Sequence, residues 1–343
     1  MKKLLTILMC VALICFTATT ALAKAEYTLR LGYISPELTP DVNNETMYCY
    51  VFKDYVETQS EGRIEVEIYP AGQLGKFPEM IEGCINGTVD MAIVNVIPMN
   101  SFYQPSMIFG LPGVFKDMDE CTAVLQSEWG LEFNEGLRQA LGIKVLNHWS
   151  SGMRNFTNSV RELRVPEDAK GLTFRVMESP VSIKMVEALG AKAVPIASSE
   201  MYVAMQNGVV DGQENPISSI IQDLTYEVQS YCVLDGHFTS SMMLIMNDAL
   251  FEGMDADLQQ IILDGSAKGY EEAVKVLKQI EADGITLLEE KGMQVYVPTE
   301  EEKEEWHSVM FEATNAYVRE KLGDELVDSF LQAIQDVRNA NAE

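Results

Sequence analysis

The sequence predicts an α/β protein of two similar lobes, each a mainly parallel sheet covered by helices. Three observations carry that expectation. Strand-like and helix-like stretches alternate from Tyr27 to Val96 and again from Leu172 to Asp211. The junction Asn86-Gly87-Thr88-Val89-Asp90 matches Asn207-Gly208-Val209-Val210-Asp211, so in both halves a glycine ends a helix and a Val-Asp pair opens a strand. A length of 343 residues favours two domains and is ample for sizeable cores.

Met1 to Ala23 reads as a secretory signal peptide, with Lys2 and Lys3 before the apolar run Leu4 to Phe16 and a small-residue cleavage site at Ala21-Leu22-Ala23. A membrane span would need a longer apolar run, and polar Thr17, Thr19 and Thr20 follow this one. The mature chain is therefore expected in the periplasm.

Tyr27 to Leu31 alternates apolar and polar residues, a strand signal. A helix is expected from about Glu45 to Thr58, with Cys49, Phe52 and Val56 on one face. Ile64, Val66 and Ile68 alternate with Glu65 and Glu67 as a second strand. Phe77 to Ile85 has helical spacing, stopped at Gly87, and Val89 to Val96 is a buried-type strand. Ile143 to Leu146 is a strand that runs into a glycine-bearing loop, Ser150 to Asn155. The pattern then repeats: a strand at Leu172 to Val176, a helix capped by Ser179 with Pro180 at its first position, a strand at Ala193 to Ile196, and a helix from Ser199 to Asn207. Asp257 to about Glu290 is a long helical pattern interrupted by Gly265, Gly269 and Gly284, followed by a short strand at Met293 to Val297. Helices from Glu300 to Leu322 and from Asp324 to Asn339 close the chain. No low-complexity linker divides it, so the lobes are expected to be joined by crossing strands or a helix, which suits hinge closure. The expected division is residues 26–150 with about 240–279 in lobe I, and about 151–239 with 280–343 in lobe II.

Composition narrows the function. There are 25 basic and 52 acidic residues; losing Lys2 and Lys3 takes the basic count to 23 and the formal net charge from −27 to −29. Such a surface repels nucleic acid and anionic lipid. An anionic ligand would need local, desolvated positive charge, which draws attention to isolated arginines. Of the six cysteines, Cys10 and Cys15 leave with the signal, and none of the remaining four forms a Cys-x-x-Cys pair, which argues against zinc and dithiol chemistry. Their pairing is open; Cys49 and Cys84, inside apolar helical patterns, read as buried thiols.

Arg175 ends the strand Leu172 to Val176, and ligands gather beyond the carboxyl ends of strands in such sheets. Its guanidinium can hold a carboxylate through two parallel hydrogen bonds. The alternative is a surface arginine paired with Glu178 or Glu200. Arg154 sits in the glycine-bearing loop, where backbone can approach a ligand; the alternative is an inter-lobe ion pair. Asn215, before Pro216, offers a donor and an acceptor, or is simply a turn residue.

These segments resemble the solute-binding proteins of tripartite ATP-independent periplasmic (TRAP) transporters, the DctP-like group. The likeness covers nearly the whole mature chain. It is carried by Gly62-Arg63-Ile64, Tyr69 to Gly75, Gly87 to Met91, Gly152-Met153-Arg154, Pro166 to Leu172, Phe174-Arg175-Val176, Ser199 to Tyr202, and Asn207 to Pro216, in that order. The resemblance implies a type-II periplasmic-binding fold with a long hinge helix. It implies Arg175 as the principal partner of a solute carboxylate, completed by Arg154 and Asn215. Tyr33, Ile34, Gln73 to Lys76, Asn95, Trp149, Glu178 and Ser198 would line the pocket. Ile34 and Ser198 stand where some sialic-acid binders have a polar and an aromatic residue, which argues against sialic acid. The expected solute is a small organic acid: a sugar acid, an aromatic or keto acid, or a C4-dicarboxylate. The implied partner is a TRAP membrane permease, with no cofactor and a monomeric chain.

Two other classes compete with this reading. An enzyme needs a nucleophile, base or metal. His148, His237 and His307 are the only histidines, and Gly-x-Ser-x-Gly, His-Glu-x-x-His and phosphate-loop patterns are absent. His148 reads as a hydrogen-bonded structural histidine, and His307 as an exposed one. A ligand-sensing module for a membrane receptor would share the binding physics and differ only in its partner.

Overall fold

The computed structural model describes residues 25–342, so the expected signal segment lies outside the described residues. Strand β1 (Tyr27–Gly32) lies parallel to both β2 (Ile64–Tyr69) and β3 (Met91–Asn95). The alternation predicted for β2 is realised: Ile64 and Val66 are buried while Glu65 and Glu67 are exposed. Helix α1 (Asn44–Gln59) starts where the Asn43 side chain accepts the Thr46 amide, and it buries Cys49, Phe52 and Val56. Helix α2 (Phe77–Asn86) ends at Gly87, which adopts a left-handed φ of 77°.

The second half repeats this arrangement. Strand β5 (Thr173–Val176) lies parallel to β6 (Lys192–Pro195) and β7 (Gly212–Pro216). Helices α5 (Pro180–Ala188) and α6 (Met201–Gln206) connect these strands, and Ser179 caps α5 by accepting the Val181 amide. The matching junctions do the same job in both halves. Asp90, before β3, accepts the Arg30 amide of β1 at 2.9 Å; Asp211, before β7, accepts the Thr173 amide of β5 at 2.7 Å. Each aspartate thus staples the central strand of its own parallel patch.

Two long strands join the patches. Strand β4 (Ile143–Asn158) runs antiparallel to β8 (Tyr231–Asn247). The full order is β2-β1-β3-β8-β4-β7-β5-β6, with β9 (Gln294–Tyr296) beside β8. The strand expected to end at Leu146 therefore continues through the predicted loop. It does so with register shifts, one between Ser150 and Met153. Gly152 makes this possible: its φ of 112° is strained for any residue with a side chain, and a Cβ there would lie 2.9 Å from Pro216.

Helices α3 (Met118–Leu125), α4 (Glu128–Leu141), α7 (Ile217–Gln222) and α8 (Asp248–Glu252) fill the connections. Helix α9 (Ala256–Glu290) is continuous over 35 residues. Its glycines do not break it but allow close packing: a Cβ on Gly284 would lie 2.3 Å from Ile217 of α7. Its first half packs on α1 and its last part on α7, so one rigid rod touches both halves. Helices α10 (Glu300–Leu322) and α11 (Asp324–Ala342) close the chain, starting from a Thr299–Glu302 capping box. Helix α10 packs on α5 and α11 on α3, where Arg338 pairs with Glu120 at 2.7 Å. The C-terminal helix thus reaches back to the first half. Cys49, Cys84, Cys121 and Cys232 are all buried free thiols.

Candidate functional site

Residues at the carboxyl ends of both parallel patches line one cavity of about 60 Å³ between the halves. From the first half come Ile34 and Ser35 beyond β1, Glu45 of α1, Phe77 of α2 and Asn95 at the end of β3. From the second half come Arg175 and Met177 at the end of β5, Ser198 beyond β6, and Asn215 of β7. Helix α7 supplies Ser219 and Gln222, with Asp223 just after it. The crossing strands add Ser151, Arg154, Ser240 and Met242 as a floor.

Two contacts tie the halves across the mouth. Gln222 Nε2 donates to Asn44 Oδ1 of α1 at 3.2 Å, and Lys76 pairs with Glu200 at 2.7 Å.

The two arginines are both buried, at 2% and 1% exposure for Arg154 and Arg175, yet they are electrostatically different. Arg154 forms an ion pair with Glu214 on the neighbouring strand β7 and lies over the Phe238 ring. Glu214 also has His237 Nε2 at 3.4 Å, and His237 Nδ1 meets Asp235 at 2.7 Å. At 3.4 Å the His237–Glu214 contact is charge attraction rather than a good hydrogen bond, and both His237 Nε2 and Glu214 Oε1 lack a hydrogen-bond partner. Burial pushes the Glu214 carboxyl up, but Arg154 and His237 outweigh it and hold it down at about 2. Burial likewise opposes a charge on His237, but Asp235 and Glu214 raise it to about 9. These four groups form two ion pairs that cancel.

Arg175 has no such partner. Its Nε donates to the Ile196 carbonyl at 2.7 Å and its Nη1 contacts the Met201 sulfur at 3.6 Å. Among the described residues no carboxylate forms an ion pair with it. Burial lowers its pKa to about 10, against the opposing pull of Glu214, so it stays charged at neutral pH. A buried guanidinium facing this cavity can donate two parallel hydrogen bonds to a carboxylate. Asn215 is tethered nearby, its amide donating to Gln213 Oε1, and Asn95 donates to Ser240 at 2.9 Å.

Of the residues expected at the site, Arg175, Arg154, Asn215, Asn95, Ser198 and Ile34 line the cavity. Four others do not. Tyr33 is fully buried and bonded to Thr46 at 3.0 Å; it belongs to the core under α1. Trp149 stacks on Tyr48 at 5.1 Å in the same core. Both pack instead in the core cluster with Tyr48 and Phe52 of α1. Lys76 is turned to the cleft mouth by Glu200, and Glu178 is exposed. The histidine expectations also divide. His148 is buried against Phe109 and bonded to Asn134 at 3.2 Å, while His307, expected to be exposed, is half-buried and bonded to the Asp235 carbonyl at 2.7 Å.

Sequence reasoning missed Glu45, Asp223, Ser35 and the polar face of α7. Glu45 accepts from the Ser35 hydroxyl at 2.8 Å, and burial raises its pKa. Asp223 is raised to about 7 by burial and then by Glu45, against the pull of Arg175. Asp223 also caps the carboxyl end of α7, where the helix dipole disfavours a negative charge. The chain bends sharply after it, with Leu224 at a φ of 54°.

Residues 37–321 match the bacterial extracellular solute-binding proteins, family 7. A solute-binding protein of Verminephrobacter eiseniae is 33% identical over 80% of this chain and 81% of its own length. The solved sugar acid binding protein of Advenella mimigardefordensis, in complex with galactonate, superposes with a TM-score of 0.86 at 27% identity, over 92% of this chain and 99% of that one. A TRAP periplasmic solute-binding protein of Sulfurospirillum deleyianum with bound succinate gives a TM-score of 0.83 at 26% identity, over 90% and 99% of the two chains.

Proposed function

The chain belongs to the bacterial extracellular solute-binding proteins of family 7, and from that premise we propose that its cleft captures a small organic carboxylate on Arg175 and delivers it to a TRAP-type membrane permease. Its relatives and structural neighbours are binding proteins of transporters, not enzymes. The expected type-II periplasmic-binding fold is present. The observation that supports the ligand assignment is the buried guanidinium of Arg175, which forms no ion pair among the described residues, in the cavity between the halves.

The division into lobes follows the crossing strands. The patch β2-β1-β3 with α1 forms one lobe and β7-β5-β6 with α5 and α7 the other, while β4, β8 and α9 form the hinge region. In the open form Arg175 would meet the carboxylate first. Closure then excludes water, so each charged hydrogen bond strengthens in the lower local dielectric. The Gln222–Asn44 bond and the Lys76–Glu200 pair form only when the halves meet, and they bias the closed state that a permease would read. Arg154, held by Glu214, is a pre-positioned donor that adds no net charge. The family is extracytoplasmic, which supports a periplasmic location for the mature chain.

A thermal-shift screen of sugar acids, keto acids, aromatic acids and dicarboxylates tests this reading. A binder at 100 times its Kd should add about 2.7 kcal/mol to stability by mass action. Absence of stabilisation by every organic acid, or equal stabilisation of an Arg175→Ala variant, would defeat it.

A further inference from the structure

We propose that Glu45 and Asp223 form a second pole of the cavity, which selects a monocarboxylate whose far end donates hydrogen bonds and rejects a second carboxylate. This rests on the assignment of Arg175 as the carboxylate site. Arg175, 1% exposed and without an anionic partner, fixes one end of the ligand. Glu45 and Asp223 line the same cavity from opposite halves, and no cation pairs with either among the described residues. The charged groups facing the space are Glu45 from α1, Asp223 after α7, Arg154 from β4 and Arg175 from β5, with Glu214, Asp223 and Glu178 acting on Arg175 through space without forming an ion pair. Arg154 is already neutralised by Glu214, so it cannot serve a second ligand anion as a free charge.

The polarity of the cavity follows. A carboxylate or carboxylic acid accepts hydrogen bonds, so a hydroxyl or an ammonium placed between Glu45 and Asp223 satisfies both. A second carboxylate there meets like charge, which is strongly unfavourable in a desolvated site. Glu45 and Asp223 repel one another, so an ammonium or hydroxyl donor between them would offset that repulsion. This separates the protein from its succinate-binding neighbour while leaving the sugar-acid neighbour a fair guide.

The experiment uses matched acids of four, five and six carbons ending in methyl, hydroxyl, ammonium or carboxylate: butanoate, 4-hydroxybutanoate, 4-aminobutanoate, succinate and their longer counterparts. Affinities are measured by calorimetry at pH 8. The hydroxyl or ammonium member should bind about tenfold or more tightly than the methyl and carboxylate members of its length, and which of the two binds better tells a hydroxy acid from an amino acid. Glu45→Gln and Asp223→Asn should narrow or reverse that ranking, with the dicarboxylate gaining about tenfold. If these variants do not fold, lowering the pH to 5.5 on the parent protein should favour the dicarboxylate in the same way. A dicarboxylate that binds best at pH 8, or equal binding of all four ends, overturns this inference alone. Failure of every acid to bind overturns the carboxylate site as well.

Discussion

Arg154 and Glu214 form a buried ion pair between adjacent strands β4 and β7, exposed by only 2% and 0%. The pair matters because it sorts the two cavity arginines into a strut and a trap. Removing one partner of such a pair leaves an uncompensated buried charge, which costs about 3–5 kcal/mol. Glu214→Gln should therefore lower the melting temperature by several degrees. Unchanged melting would show that the pair is not a structural element.

Arg175 should behave in the opposite way. Arg175→Ala removes a buried charge that has no protein anion, so the unliganded fold should lose little stability. Ligand affinity should fall by roughly 2–5 kcal/mol, the penalty for leaving a buried carboxylate unpaired. Arg175→Lys should recover only part of it, since a point charge cannot reproduce the planar fork. Calorimetry with a ligand from the screen checks both; a lysine variant as tight as the parent would discard bidentate recognition.

His237 makes a prediction in pH. It is raised from 6.5 to about 9 in the folded protein by Asp235 and Glu214, against the cost of burial. A base whose pKa rises on folding stabilises the fold fully below its unfolded pKa and loses that contribution as pH climbs through the folded value. The melting temperature should thus fall between pH 7 and pH 10. In His237→Gln it should start lower and stay flatter over that range. Glu214 works at the other extreme: depressed to about 2 from 4.5, it contributes above pH 4.5 and is lost on acidification toward pH 2.

The parallel patches were legible because their strands alternate, as Ile64 and Val66 do against Glu65 and Glu67, and because Gly87 and Asn43 mark helix ends. The crossing strand β4 was not. It is buried over its second half, mixes polar and apolar residues, and passes through Gly152 with a register shift, so no period survives. Arg175 was readable from its place at a strand end. Tyr33 and Trp149 misled because an aromatic near a strand end serves the core as well as a pocket, and here both pack against α1. Glu45 and Asp223 lie far apart in the sequence and come together only in the fold, and the sole local hint was an aspartate against the dipole at the end of α7.

Trp149 tests that correction. It stacks on Tyr48 and lies near Tyr270, away from the cavity. Trp149→Ala should cost about 3–5 kcal/mol of stability as a core truncation. Trp149→Phe should cost less and leave ligand affinity unchanged. Loss of affinity in a well-folded phenylalanine variant would return Trp149 to the binding surface.

Lys76 and Glu200 close the mouth of the cleft, with side chains 42% and 59% exposed. An exposed pair of this kind contributes little, because water and side-chain entropy offset most of the attraction. Lys76→Ala should therefore weaken binding by no more than about fivefold. On the proposed closure the pair breaks as the cleft opens, so the loss should appear as faster ligand release, while association stays near the parent rate. The difference between parent and variant should shrink at about 1 M salt, where the screening length falls to about 3 Å. Stopped-flow release kinetics at low and high salt decide the matter: a large loss of affinity that salt does not alter would mean that Lys76 contacts the solute directly and that the closed geometry of the mouth changes when ligand enters.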